Sequence, residues 1–71
     1  MSREELIARK EAVRADLART QRTLERTRAE AESASGLRRR YLQRSAARLE
    51  ARADALMSEE YRLRQSIDQA R

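Results

Sequence analysis

Leucine recurs every seven residues through the second half of the chain, at Leu42, Leu49, Leu56 and Leu63, with Ala70 next in the series. That spacing restricts the fold more than any other feature. Side chains seven apart drift only about 20° around a straight helix, so they form one narrow stripe that must be covered by another helix. Ala46, Ala53, Glu60 and Ile67 fill the companion row of the same stripe. The first half carries a heptad of its own, with one row at Arg3, Lys10, Leu17, Leu24 and Ala31 and the other at Leu6, Val13, Thr20, Thr27 and Ala34.

The two heptads are out of phase, because Ala31 and Leu42 are eleven positions apart, and the break surrounds Ser33, Ala34, Ser35 and Gly36. This is the one cluster of small, helix-weakening residues in a chain with a single glycine and no proline. The sequence therefore predicts a helix over 3–34, a turn over 35–37 with Gly36 in the left-handed conformation that ends a helix, and a second helix over 38–70. Ser33 or Ser35 is expected to satisfy loose backbone groups at the turn. At the other end Ser2 and Glu5 have the spacing of a capping box, and Met1 and Leu6 that of a hydrophobic staple.

A hairpin requires facing residues to have numbers with a constant sum. With a sum of 73, Leu6 meets Ile67, Leu17 meets Leu56, Leu24 meets Leu49 and Ala31 meets Leu42, while Thr20 meets Ala53 and Thr27 meets Ala46. Apart from Ala31 with Leu42, large residues face large ones and small residues face each other. Lys10 and Glu60 fall in adjacent layers, where an ion pair would lock the register. The competing architecture is one continuous helix of about 100 Å that absorbs the phase break as a stutter and dimerises. The expected fold is all-α: 1–71 as a single two-helix antiparallel coiled-coil hairpin, oligomerising into a helical bundle.

A chain of 71 residues is near the size where one core alone gives marginal stability. It has no Cys and no His, so disulfides, thiolate metal sites and imidazole ligands are excluded. The same absences, with no glycine-rich phosphate loop, argue against an enzyme and against a bound cofactor or metal. Glu4 with Glu5 and Glu59 with Glu60 are the paired acids, but neighbours on a helix point about 100° apart and do not converge. No apolar run approaches the roughly 20 residues that cross a bilayer, and no signal-peptide core is present, so a soluble cytoplasmic protein is expected.

Charge is the informative feature. Residues 36–53 hold six basic and one acidic side chain, whereas the flanking segments are close to balanced, so the whole net charge of +5 sits at the turn and in the first half of the second helix. Arg40, Arg44, Arg48 and Arg52 recur every four residues as an oblique stripe, with Arg38 and Arg39 beside the turn. Guanidinium groups so placed suit phosphates or an acidic protein surface. An arginine cluster beside a leucine heptad has a superficial likeness to basic leucine zippers, but here it overlaps Leu42 and Leu49 and the Asn-containing basic motif is absent. Ile7, Leu37, Tyr41, Met57 and Tyr61 lie off the seam and form the expected apolar interaction surface, beside rows of alanine at Ala8, Ala12, Ala15 and Ala18 and at Ala47, Ala51 and Ala55. The function expected is a non-enzymatic interaction module, such as an adaptor, chaperone, inhibitor or assembly factor of a phage or bacterial accessory kind. It would bind a protein partner or itself, and the alternative is nucleic-acid binding through Arg38–Arg52.

Overall fold

The computed structural model describes residues 1–70 as two helices and no strand, α1 over Arg3–Ser33 and α2 over Gly36–Gln69, folded against each other as an antiparallel hairpin. The molecule measures 54 × 14 × 13 Å, about the length of one 34-residue helix, so the continuous-helix architecture is excluded. Only Ala34 and Ser35 separate the helices, compared with the expected bounds of 3–34 and 38–70.

Both connecting residues are extended, at ψ 165° and 166°, and Gly36 enters α2 at φ 61°. Gly36 therefore takes the left-handed conformation as expected, but it opens the second helix instead of closing the first. Ser33 donates its hydroxyl to the Glu30 carbonyl at 3.2 Å, while Ser35 makes no side-chain cap. At the start of α1, Ser2 accepts from the Glu5 backbone N–H at 3.1 Å, and its hydroxyl donates to the Glu5 carboxylate at 3.0 Å. The expected staple leaves Met1 77% exposed, while Leu6 is buried in the seam.

That seam follows the constant sum. Leu6, Val13, Thr20, Leu24 and Ala31 of α1 and Leu42, Ala53, Leu56, Leu63 and Ile67 of α2 are the buried residues. Thr20 and Ala53, predicted partners, are the most deeply buried pair, at 5% and 4% exposed. The Thr20 hydroxyl donates to the Asp16 carbonyl at 2.8 Å, so its burial leaves no polar atom unpaired. Packing is uneven along the length. Leu6, Val13, Leu56, Leu63 and Ile67 form one apolar cluster at the open end with Ile7 and Leu17 against it, whereas alanines occupy much of the seam near the turn.

Two substitutions separate backbone from packing. A Cβ on Gly36 would meet nothing within 4 Å, so Gly36→Ala should cost only the left-handed strain, about 1 kcal/mol. Leu56→Ala should cost at least about 2 kcal/mol through lost burial at the seam. Urea titrations followed by circular dichroism measure both, and an equal cost for the two would contradict this division.

Candidate interaction surfaces

Ion pairs flanking the seam define two flat sides of the hairpin. On one flank Arg9 pairs with Glu59 at 3.0 Å and Arg52 with Asp16 at 2.8 Å. On the other flank Arg28 pairs with Glu50 at 3.0 Å. The residue numbers of these pairs add to 68 on the first flank and to 78 on the second, five below and five above the seam value of 73. This is the arrangement that flanking charges adopt around an antiparallel seam, and it confirms the register independently of the core.

The side containing Arg28 and Glu50 is built from residues one and four positions after Arg3, Lys10, Leu17, Leu24 and Ala31 in α1, and after Arg39, Ala46, Ala53, Glu60 and Ile67 in α2. Among the described residues it carries seven acids and four bases. The opposite side, built from residues two and six positions after the same set together with Arg38, carries seven bases and four acids. The sides are thus of opposite sign, one acidic and one basic.

The arginine stripe crosses between them. Each step of four residues advances 40° beyond a full turn, so three steps sweep about 120°. Arg40 consequently lies on the acidic side, Arg44 on the outer back of α2, and Arg48 and Arg52 on the basic side. Arg52 is held by Asp16, Arg48 donates to the Ser45 hydroxyl at 3.2 Å, and Arg39 lines a groove, while Arg38, Arg40 and Arg44 are exposed. Sequence reading missed Arg26, which lies within one residue of Arg48's level across the seam and extends the basic side onto α1. The constant-sum rule, applied to charges as well as to leucines, would have found it.

The apolar candidates also separate. Ile7 is half-buried and packs against the core cluster, so it supports the fold more than it offers a surface. Leu37 is 81% exposed on the back of α2 beside the turn, and Tyr41 is 63% exposed on the basic side. Met57 and Tyr61, 45% and 59% exposed, stand together on the acidic side, where Gln65 donates to the Tyr61 hydroxyl at 3.0 Å. Of the alanine rows, Ala12 and Ala55 fall on the basic side and Ala18 and Ala47 on the acidic side, with Ala8, Ala15 and Ala51 behind.

Near the turn the acidic side opens into a groove of about 340 Å³. Ala31, Ala46 and Ala47 line it together with Arg28, Glu32, Arg39, Gln43 and Glu50. It exists because alanines fill these positions where leucines would close the surface. No group of three acidic side chains among the described residues is placed to hold a metal ion, and no described helix is long and apolar enough to cross a membrane.

Glu60 is the one carboxylate of the seam. Arg64 of the same helix donates to it at 2.7 Å and Arg14 approaches to 4.0 Å, leaving its side chain 14% exposed. Lys10 takes no part in an ion pair among the described residues, so the expected Lys10–Glu60 lock is replaced by two flanking arginines that approach the same oxygen. Since a partly buried ion pair is often no more stabilising than an apolar residue of similar volume, Glu60→Leu should raise the thermal midpoint. A lower midpoint by circular dichroism would show that Glu60 contributes net stability.

No protein-family model matches the chain, nor does any curated protein or solved structure. The functional reading therefore rests on the two sides, the groove and the exposed aromatic residues.

Proposed function

We propose that the chain is a non-enzymatic helical interaction module that works in contact with further copies of itself or with another protein, as an adaptor, chaperone, inhibitor or assembly factor. The observation that carries this reading is its surface. A folded monomer of 8.3 kDa is expected to expose roughly 4,600 Å² by the usual mass scaling. The hairpin exposes 5472 Å². The excess is close to the roughly 800 Å² that each partner contributes to a standard protein interface. Among the described residues no side chain is fully buried, and two large apolar pairs, Leu37 with Tyr41 and Met57 with Tyr61, project into solvent. A hairpin with one narrow seam gains stability by covering such surface.

Nucleic-acid binding is the second reading, favoured by Arg26, Arg38 and Arg48 on one side near the turn. Against it, Asp16 holds Arg52, Asp16, Glu30 and Glu59 share the same side, and the exposed tyrosines lie on opposite sides and form no stacking platform.

Two measurements separate these readings. Sedimentation at low micromolar concentration should give a mass above 8.3 kDa for the associating chain; a folded, cooperatively melting monomer overturns the leading reading for self-association. Anisotropy titrations with DNA and RNA fragments at low salt should show negligible affinity. If binding is found, Arg44→Gln with Arg48→Gln should reduce the log-log salt slope by about 0.7 to 0.9 per lost phosphate contact, and the second reading takes its place.

A further inference from the structure

The opposite sign of the two flat sides restricts how one hairpin can meet another. Pairing through a two-fold axis would press basic on basic or acidic on acidic, and like charges facing across an interface are strongly disfavoured. We infer that the hairpins stack side to side in the same direction, the basic side of one copy on the acidic side of the next, with Tyr41 of one copy seated over the alanine-lined groove of its neighbour. This deepens the interaction-module reading and rests on it.

Register supports the match. Facing residues add to 73, so each α2 residue can be given the level of its α1 partner. Tyr41 then stands at the level of Glu32, inside the span of the groove. Met57 on the acidic side lies within two residues of the level of Ala55 on the basic side, and both belong to α2, which lies over α2 when copies stack in the same direction. Tyr41 and Met57 of one copy therefore meet alanines of the next. Charges follow the same register: Arg26 and Arg48 lie near the level of Glu25, and Glu59 lies at the level of Arg14. Two levels oppose like charges, Glu5 with Glu4 and Asp68, and Arg9 with Arg64, and both lie toward the open end, where water screens them.

Tyrosine seated in a small concave site with a polar rim is a common interface anchor, because it brings a large rigid area at little entropic cost. The groove has an alanine lining with Arg28, Glu32, Gln43 and Glu50 around it, offering the phenol hydroxyl both donors and acceptors. A head-to-tail contact of this kind does not close on itself, so the stack should lengthen with concentration instead of stopping at a dimer.

Two variants test the geometry by complementation. The first, Tyr41→Glu with Ala12→Glu, disables the basic side, and the second, Ala47→Gln with Met57→Gln, fills the groove and removes an apolar contact on the acidic side. All four positions are exposed, so helicity should persist. Each variant alone should sediment as a monomer where the wild-type chain forms larger species. An equimolar mixture should form a 1:1 dimer and nothing larger, because one intact side remains on each. A mixture that stays monomeric, or either variant associating like wild type, overturns the stack while leaving the interaction-module reading in place. A wild-type chain monomeric at every concentration overturns both for self-association. Should a variant lose its helicity, salt decides: raising NaCl roughly tenfold from about 50 mM should reduce the wild-type mass, and an unchanged or larger mass contradicts a contact made between opposite charges.

Discussion

Everything in this hairpin depends on the constant-sum pairing of its two heptads. Because Leu6 lies level with Ile67 and Thr20 with Ala53, each leucine of the seam has a partner row to lie in. The same pairing fixes which side chains flank the seam, so the ion pairs at 68 and 78 follow from it and do not cause it. Exposed ion pairs of this type contribute at most about 1 kcal/mol each. A register shift of one heptad to a sum of 66 would set Lys10 against Leu56 and Glu60 against Leu6 and misplace several pairs together. The leucines set the energy scale, and the charges set the direction in which errors are rejected.

The seam is asymmetric along its length, and this connects packing to function. At the open end branched and leucine side chains make a continuous cluster. Toward the turn Ala31, Ala46 and Ala47 bring smaller volumes, which leaves a shallow concavity instead of a smooth surface. A protein under selection only for a stable hairpin gains by larger residues at those positions, since each buried methylene adds about 0.8 kcal/mol. The sequence thus leaves apolar area uncovered at both ends, as alanine concavity near the turn and as exposed Met57 and Tyr61 nearer the open end.

Much of the fold was legible in the sequence because three signals coincide at one place: the breaker Gly36, the phase change between heptads, and the matching of layer sizes. The turn geometry was less legible. Ala34 and Ser35 reverse the chain in two extended residues, so Gly36 is needed to enter α2 and not to leave α1; heptad phase locates a break but carries no information about which helix uses the glycine. The staple at Met1 and the Lys10–Glu60 pair failed for a shared reason. Local spacing proposes a partner, and a tertiary neighbour offers a better one: the seam for Leu6, and the shorter reach of Arg64 for Glu60. Ile7 stands off the strict heptad and so resembles a surface residue in the sequence, although positions just beside the seam are half-covered by the facing helix.

The organisation of the surface is not legible from either helix alone, because each side is made by both. A stripe of arginines spaced by four looks continuous on an isolated helix. On the hairpin it begins on the acidic side at Arg40 and ends on the basic side at Arg52, where Asp16 of the other helix holds it. The unit of electrostatics is the flat side formed by both helices, and on that unit a net charge of +5 resolves into one basic and one acidic side with the remaining positive charge in the seam rows, on the outer back and at Arg71. A polyanion meets mainly the first side, whereas the proposed stack of copies sets each side against one of opposite sign. Opposite signs on the two sides, the concavity near the turn and exposed Tyr41 are the features on which the proposed hairpin-to-hairpin contact rests.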